Sequence, residues 1–167
     1  MISVVEPPAA TRTKGRILIV DDELVVRDSL GKWFSSEGYT ARPVGGAREA
    51  LEVIQQAEFD IALLDIKMPG MDGMELQTRL HEADPDLTVI MMTGYSSVET
   101  AVQALKHGAY DYITKPVDLD ELSHLVSNAL EHKRARREVD RLRENLQEVA
   151  PGTELIGKSP LMKKVTE

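Results

Sequence analysis

Short apolar runs alternate with amphipathic stretches along most of the chain. Five runs are rich in β-branched and other apolar residues, as in strands buried within a sheet. These predicted strands cover residues 16–20, 39–43, 59–65, 88–93 and 110–114. Apolar residues recur at helical spacing after each run. The predicted helices cover residues 23–37, 46–57, 74–82 and 98–107, and a last one runs from Asp118 until Pro151 stops it.

Five βα units in succession predict a parallel sheet covered by helices on both faces. Strands this short and apolar are typical of an α/β fold with an open, doubly wound sheet of the flavodoxin-like kind, five strands in the order 2-1-3-4-5. Such sheets bind their ligands at the carboxyl ends of the strands, near the point where the strand order switches. The residues that end the predicted strands are therefore the first candidates for function.

The last predicted helix carries a second, seven-residue period. Its two seam series are Leu125, His132, Val139 and Leu146, and Asn128, Ala135, Leu142 and Val149. The heptad pattern is weak in the first half of the helix and improves from Val139 onward. A helix this long cannot bury such a stripe on a compact domain alone. We therefore expect the fifth helix to extend into a coiled-coil linker that pairs with a second copy of the chain.

Composition narrows the class of function. The 167 residues suggest one domain with appendages, and an apolar content of 42% is enough for a core. A net charge of −8 argues against nucleic acid or an anionic membrane as the main partner. Because cysteine is absent, a disulfide framework and a thiolate zinc site are excluded. With no apolar run near the ~20 residues of a membrane span and no signal-peptide core, we expect a cytoplasmic protein.

Polar and charged side chains follow four of the predicted strands. Asp21 and Asp22 end strand one, and Asp65 ends strand three, its neighbour in the predicted sheet. Clustered carboxylates repel one another unless a cation is present, and oxygen ligands of this kind suit Mg²⁺. Thr93 ends strand four and Lys115 follows strand five, where a hydroxyl and an ammonium could neutralise a transferring phosphoryl group. Each residue alone is common in caps and turns, so the prediction depends on their convergence.

Four motifs, in this order, resemble those of the response-regulator receiver domain. They are V-D-D-E (20–23), L-L-D-I-K-M-P-G-M-D-G (63–73), M-T-G-Y (92–95) and D-Y-I-T-K-P (111–116). The resemblance covers about residues 15–130. It implies a regulatory domain rather than an enzyme, which accepts a phosphoryl group from a partner histidine kinase. Val117 departs from the family pattern, in which an aromatic residue is commoner after the Lys-Pro pair.

The resemblance implies a role for each acidic residue. Asp65 resembles the phosphoacceptor. Asp21 and Asp22 resemble the Mg²⁺-binding acids, with Asp22 and Asp65 as direct ligands. Lys67 would add its backbone carbonyl as a further ligand.

The remaining family positions concern the phosphoryl group and the response to it. Thr93 and Lys115 resemble the pair that binds the phosphoryl oxygens. Tyr112 resembles the aromatic switch that turns inward as Thr93 moves towards the phosphate. Lys67 and Tyr95 occupy positions that tune the lifetime of the phosphate in this family.

The stretch Gly152–Ser159 matches the phosphate-loop pattern G-x-x-x-x-G-K-[ST]. A working loop follows a buried strand and opens a helix, whereas here a charged helix precedes Gly152 and Pro160 follows Ser159. We therefore favour a chance match over a nucleotide hydrolase. The segment L-I-G-K-S-P-L-M-K-K-V (155–165) instead resembles the opening of the AAA+ ATPase module in NtrC-type sigma-54-dependent activators.

These patterns predict four segments: a flexible tail (1–14), a receiver domain (15–130), a coiled-coil linker (131–150) and the start of an AAA+ domain (151–167). The resemblance then implies a parent protein whose ATPase acts on sigma-54 RNA polymerase. A stand-alone receiver that signals through protein contacts is the alternative. The basic residues of the linker are interleaved with acidic ones, so we read them as a solvated face rather than a nucleic-acid site.

Overall fold

A computed structural model describes residues 13–94 and 98–153, including all their side chains except those of Val98 and residues 147–153. Within these residues, five strands alternate with five helices. The strands are β1 (Arg16–Val20), β2 (Thr40–Val44), β3 (Ile61–Asp65), β4 (Thr88–Thr93) and β5 (Asp111–Thr114). The helices are α1 (Leu24–Ser36), α2 (Ala47–Gln56), α3 (Gly73–Ala83), α4 (Val98–Lys106) and α5 (Leu119–Thr153).

The five strands form one parallel sheet in the order β2-β1-β3-β4-β5. The flavodoxin-like, doubly wound fold and its strand order are thus confirmed. The register brings the strand ends together, since Val20 pairs with Leu64 and Asp65 pairs with Met92. Thr93 in turn pairs with Thr114. The residues that follow or end β1, β3, β4 and β5 therefore share one edge of the sheet.

Alternate residues of the central strands point to opposite faces, and both faces are apolar. In β1, Leu18 and Val20 pack with α2, α3 and α4, whereas Ile17 and Ile19 pack with α1 and the first part of α5. The same alternation continues through β3 and β4. Burial of each such side chain contributes roughly 1.5–3 kcal/mol. The continuous apolar runs in the sequence follow from this two-sided burial.

The predicted element bounds agree with the structure to within two residues, except at the end of α5. The sequence prediction that Pro151 stops this helix is wrong, because the helix continues to Thr153. Proline removes one backbone donor, and a helix that is already long can propagate past that single loss. Gly152 and Thr153 of the phosphate-loop match therefore lie in α5. The other residues of the phosphate-loop match lie outside the described residues. So do the predicted tail up to residue 12 and the AAA+-like segment 155–165.

The chain divides into two compact units, Met1–Leu130 and Glu131–Glu167. In the first unit, α5 packs against the sheet through Leu122, Val126 and Ala129. In the second unit, the described part of α5 carries three large apolar side chains that are exposed, at Val139, Leu142 and Leu146. Among the described helices, none is both long enough and apolar enough to cross a membrane.

Gly73 allows α3 to begin directly against the end of β3. Its N–H donates to the Ile66 carbonyl at 2.8 Å. A Cβ at this position would lie 2.5 Å from the Asp65 carbonyl oxygen and 2.8 Å from Ile66 Cα. These are backbone atoms that cannot rotate away, so position 73 requires the absence of a side chain.

We predict that Gly73→Ala lowers the free energy of unfolding by about 1–3 kcal/mol, the usual cost of overpacking. Urea unfolding followed by circular dichroism measures the change. Gly46→Ala is the matched control, because a Cβ there meets no atom within 4 Å. The control should cost less than about 1 kcal/mol, mainly from a poorer helix N-cap. Equal losses in the two variants would contradict the steric argument.

Candidate functional site

Three carboxylates converge at the carboxyl edge of the sheet. Asp21 and Asp22 follow β1, and Asp65 ends β3, the neighbouring strand. One carboxylate oxygen from each lies within 4.8 Å of the other two. Asp21 is fully buried and Asp65 is nearly so, whereas Asp22 is exposed. A cluster of oxygen ligands with one solvent-facing member can hold a hard divalent cation that keeps some of its waters.

Local hydrogen bonds fix Asp21 at the start of α1. Its Oδ1 accepts the Glu23 N–H at 2.9 Å, and its own N–H donates to the Val44 carbonyl at 3.3 Å. Nη1 of Arg27 donates to the Asp21 carbonyl at 3.1 Å. Both the main chain and the side chain of Asp21 are thereby held in place.

Lys115 brings a positive charge into this acidic cluster. Its Nζ lies 2.9 Å from Asp21 Oδ2 and 3.3 Å from Asp65 Oδ2. The exposed Glu23 carboxylate lies 3.6 Å from the same nitrogen. The Lys115 N–H donates to the Thr93 carbonyl at 2.7 Å, which ties the β5–α5 loop to the end of β4. Val117, the departure from the family pattern, packs against the apolar cluster beneath α1 and α5.

The surroundings of Asp65 make its charged form less favourable, whereas those of Lys115 make its charged form more favourable. Burial, and then the charge of Asp21, raise the pKa of Asp65 to about 6, although Lys115 and the Lys67 N–H favour its ionised form. For Lys115, burial acts to lower the pKa, but the hydrogen bond and charge of Asp21, followed by those of Asp65, outweigh burial and raise it. Lys115 is therefore charged at neutral pH. Burial and the charge of Asp21 make the ionised form of Asp65 less favourable than that of an exposed aspartate.

The other predicted site residues border this cluster. Thr93 is buried, and its hydroxyl donates to the Gly94 carbonyl at 2.9 Å. Lys67 is exposed and contacts Asp65 through its backbone N–H, at 3.3 Å from Oδ1. Tyr112 is partly buried and packs against the apolar cluster under α2, α3 and α4. Tyr95 lies outside the described residues.

Two residues with no role predicted from the sequence, Arg27 and Gly73, also shape the site. Arg27 lies four residues after Glu23, so their spacing places them on one helix face. That spacing could have suggested that Arg27 lies near the strand end. Neither the Arg27 contact with a main-chain carbonyl nor the close approach at Gly73 has a signal in the sequence pattern alone.

A family model for the response regulator receiver domain matches residues 17–127. The sheet, its acidic edge and Lys115 all lie within that match. The chain therefore belongs to the response regulator receiver family.

Two curated relatives are regulatory proteins of Escherichia coli (strain K12). Regulatory protein AtoC is 39% identical over 147 residues, which cover 88% of this chain and 32% of AtoC. The DNA-binding transcriptional regulator NtrC is 36% identical over 152 residues, which cover 91% of this chain and 32% of NtrC. The chain thus spans about a third of the length of these relatives, and its receiver is of the NtrC and AtoC type.

Solved structures with the same fold support this assignment. A crystal structure of NtrX from Brucella abortus has a TM-score of 0.76 at 36% identity, over 90% of this chain and 32% of that chain. A CheY-like receiver domain protein from Methanospirillum hungatei JF-1 has a TM-score of 0.69 at 39% identity. That match covers 72% of this chain and 97% of the other.

We predict that Asp65→Asn stabilises the protein in metal-free buffer at pH 7.5. The pKa of Asp65 is about 6 in the folded state and 3.8 ordinarily, so the folded state binds more protons and loses stability as pH rises through this window. At about 1.4 kcal/mol per pKa unit, we expect a gain of about 1–3 kcal/mol above pH 6. Urea unfolding at pH 7.5 and at pH 4 measures it.

The gain should shrink strongly at pH 4, where the carboxyl of Asp65 is protonated in the folded state and already partly protonated in the unfolded state. Asp28→Asn is the control. It removes an exposed carboxylate of α1 whose ion pair with Lys32 is itself exposed, and it should change stability little at either pH. A gain for Asp65→Asn that is the same at both pH values would show that its cause is not the buried charge.

Proposed function

We propose that this chain is the phosphorylation-controlled receiver of an NtrC-type, sigma-54-dependent transcriptional activator, with Asp65 as its phosphoacceptor. The observation that carries the proposal is the nearly buried Asp65 carboxylate, which shares the Lys115 ammonium with Asp21. Such an arrangement presents a nucleophile beside a fixed positive charge. Phosphoryl transfer needs both, because its catalysis consists mainly of positioning and charge neutralisation.

The donor set fits Mg²⁺. It is made of carboxylate oxygens only, and one of its members, Asp22, faces solvent. Asp22 and Asp65 would be direct ligands, Asp21 would support them, and the Lys67 carbonyl would be a further ligand. A bound Mg²⁺ supplies positive charge for the carboxylates and for the equatorial phosphoryl oxygens. The raised pKa of Asp65 supports this fit, because the cluster holds more negative charge than Lys115 offsets.

Asp65 acts as the nucleophile. A carboxylate oxygen of Asp65 forms a bond to phosphorus while the bond from phosphorus to the imidazole nitrogen of a phosphohistidine breaks. The imidazole leaves with its electron pair and takes up a proton. At neutral pH most Asp65 side chains are ionised and able to attack, since the pKa is about 6. Lys115 stays charged and attracts the transferred phosphoryl oxygens.

The product carries a group of about −1.5 to −2 charge where a single carboxylate stood. The Thr93 hydroxyl, which now donates to the Gly94 carbonyl, can instead donate to a phosphoryl oxygen. Its movement opens space for Tyr112, which is only partly buried. These two side chains would then bias the surface of β4, α4 and β5 towards an active conformation.

We infer the remaining partners from the same resemblance. A sensor histidine kinase supplies the phosphoryl group in the cytoplasm. Residues 15–130 form the receiver, 131–150 a coiled-coil linker that pairs with a second copy, and 151–167 the start of an AAA+ domain. The exposed apolar side chains at Val139, Leu142 and Leu146 support the pairing. The chain itself is a regulatory domain rather than an enzyme, and the parent protein's ATPase would act on sigma-54 RNA polymerase.

We predict that a small phosphodonor with Mg²⁺ adds one phosphoryl group to the chain, and that Asp65→Asn abolishes the addition. Intact-mass spectrometry measures the product at neutral pH. Asp28→Asn, the exposed control on α1, should be modified as fast as the wild-type chain. Omission of Mg²⁺ should prevent the reaction. An unmodified wild-type chain, or an Asp65→Asn variant that still gains the phosphoryl group, would refute the assignment of Asp65.

A further inference from the structure

Arg27 lies on the first turn of α1, and its side chain reaches back to the end of β1. Its Nη1 donates to the Asp21 carbonyl at 3.1 Å. The side chain is half-buried, although most of the neighbouring residues on this turn are exposed. A hydrogen bond from a charged donor is stronger than one between neutral groups. The contact therefore restrains the direction in which the Asp21 carbonyl points.

Gly45, the residue after β2, leaves space for the guanidinium of Arg27. A Cβ at position 45 would lie 3.3 Å from Arg27 Nη1 and 3.4 Å from its Cζ. The φ angle of Gly45 lies outside the left-handed region, so its backbone conformation does not require a glycine. Val44, the preceding residue, accepts the Asp21 N–H at 3.3 Å. The end of β2 therefore contacts both the Asp21 main chain and the arginine that binds it.

The two peptide groups that flank Asp22 are both anchored. The carbonyl of the Asp21–Asp22 peptide accepts the bond from Arg27, and the Glu23 N–H donates to Asp21 Oδ1 at 2.9 Å. Peptide groups are planar, so a hydrogen bond to one atom of each group restrains the rotation of its whole plane. Asp22 itself is exposed, and the chain bends at this residue. The direction of Asp22 is therefore set through these two planes rather than by burial of its side chain.

We propose that Arg27 is a positioning residue for the magnesium site, and that it acts on the Asp22 carboxylate through the Asp21–Asp22 peptide. This inference rests on the proposed function, in which Asp22 is a direct ligand of Mg²⁺. Because Mg²⁺ demands near-ideal octahedral geometry, its affinity depends on the direction of each acidic ligand. Replacement of a residue that orients a metal ligand typically weakens metal binding by about 10- to 100-fold. In this role Arg27 contacts neither the ion nor a phosphoryl oxygen.

The positive charge of Arg27 has the opposite effect on metal binding. A guanidinium near the acidic cluster repels a divalent cation, so its removal through charge alone would tighten Mg²⁺ binding. Loss of the hydrogen bond to the Asp21 carbonyl weakens Mg²⁺ binding instead. The sign of the change in affinity therefore separates positioning from charge repulsion. A role in folding alone would lower the free energy of unfolding and leave the affinity for Mg²⁺ unchanged.

Titration of the isotope-labelled, 167-residue chain with MgCl₂, followed by its amide NMR spectrum, measures the affinity without a phosphodonor. Arg27→Met removes the donor and the charge, and we expect it to raise the Mg²⁺ dissociation constant about tenfold. Arg27→Lys keeps a donor and the charge, so it should recover part of this loss. Lys32→Met is the control, because Lys32 is an exposed cation of the same helix that pairs with Asp28. Its dissociation constant should stay within about twofold of the wild-type value.

Gly45→Ala tests the same hydrogen bond without any change of charge. Its Cβ crowds the guanidinium, which must shift by a few tenths of an ångström. We expect Mg²⁺ binding to weaken about two- to fivefold. Gly46→Ala is the matched control and should bind Mg²⁺ as the wild-type chain does, because a Cβ there meets no atom within 4 Å. This pair decides the question even if the amide spectrum shows that Arg27→Met is unfolded.

The rate of phosphorylation by a small donor provides a second readout. In Arg27→Met, the half-maximal rate should require about tenfold more Mg²⁺ than in the wild-type chain. The loss should fall on this Mg²⁺ requirement rather than on the rate reached at saturating Mg²⁺, because Arg27 acts only on the binding of the ion. A lower maximal rate with an unchanged Mg²⁺ requirement would contradict the proposed role.

The outcomes distinguish this inference from the proposed function. Unchanged or tighter Mg²⁺ binding by a folded Arg27→Met variant would overturn the role of Arg27, while the magnesium site itself would remain. Equal affinities of Gly45→Ala and Gly46→Ala would overturn it in the same way. A wild-type chain whose amide signals at Asp22 and Asp65 do not respond to MgCl₂ would instead refute the magnesium site, and the role of Arg27 with it.

Discussion

The contact between the Lys115 ammonium and two buried carboxylates organises the carboxyl edge of this sheet. The parallel strands bring Asp21 and Asp65 together, and their mutual repulsion would favour a wider separation of the strand ends. Lys115 lies within hydrogen-bond distance of both, and its backbone is bonded to the end of β4. One lysine therefore links three strand ends. A single positive charge does not offset three carboxylates, so a local excess of negative charge remains among the described residues at this edge.

This excess of negative charge lowers the stability of the carboxyl edge of the sheet, because the carboxylates repel one another. The two apolar layers bury nearly every residue of β1, β3 and β4, and they supply the stability that the charged edge lowers. Above pH 6, ionised Asp65 lowers the free energy of unfolding, and burial of the apolar core offsets this loss. A divalent cation would offset this excess of negative charge, whereas a phosphoryl group on Asp65 would add to it. A change of charge at Asp65 would thereby alter the forces on the side chains around it.

Most of the fold could be predicted from the sequence because its signals are local. The apolar runs define the strands, and the order of the sheet follows from the repeated βα unit. The convergence of Asp21, Asp65 and Lys115 follows from that order. Other features depend on tertiary contacts. Asp21 is buried while its neighbour Asp22 is exposed, and the close approach of Gly73 to the Asp65 carbonyl involves atoms that no sequence pattern describes. The sequence pattern places the end of α5 too early, because propagation of a long helix outweighs the local effect of Pro151.

Lys115 also acts as a tethered competitor within the acidic cluster. A divalent cation bound by Asp22 and Asp65 would share the Asp65 carboxylate with the ammonium, which lies 3.3 Å from Asp65 and 2.9 Å from Asp21. The affinity of the cluster for the cation would therefore be lower than the affinity of the same carboxylates without the lysine. A weakened site of this kind is not saturated at trace concentrations of metal, and its occupancy follows the free concentration of the ion. If the cluster binds a divalent cation, the lysine would limit how far the site fills at low concentrations of the ion.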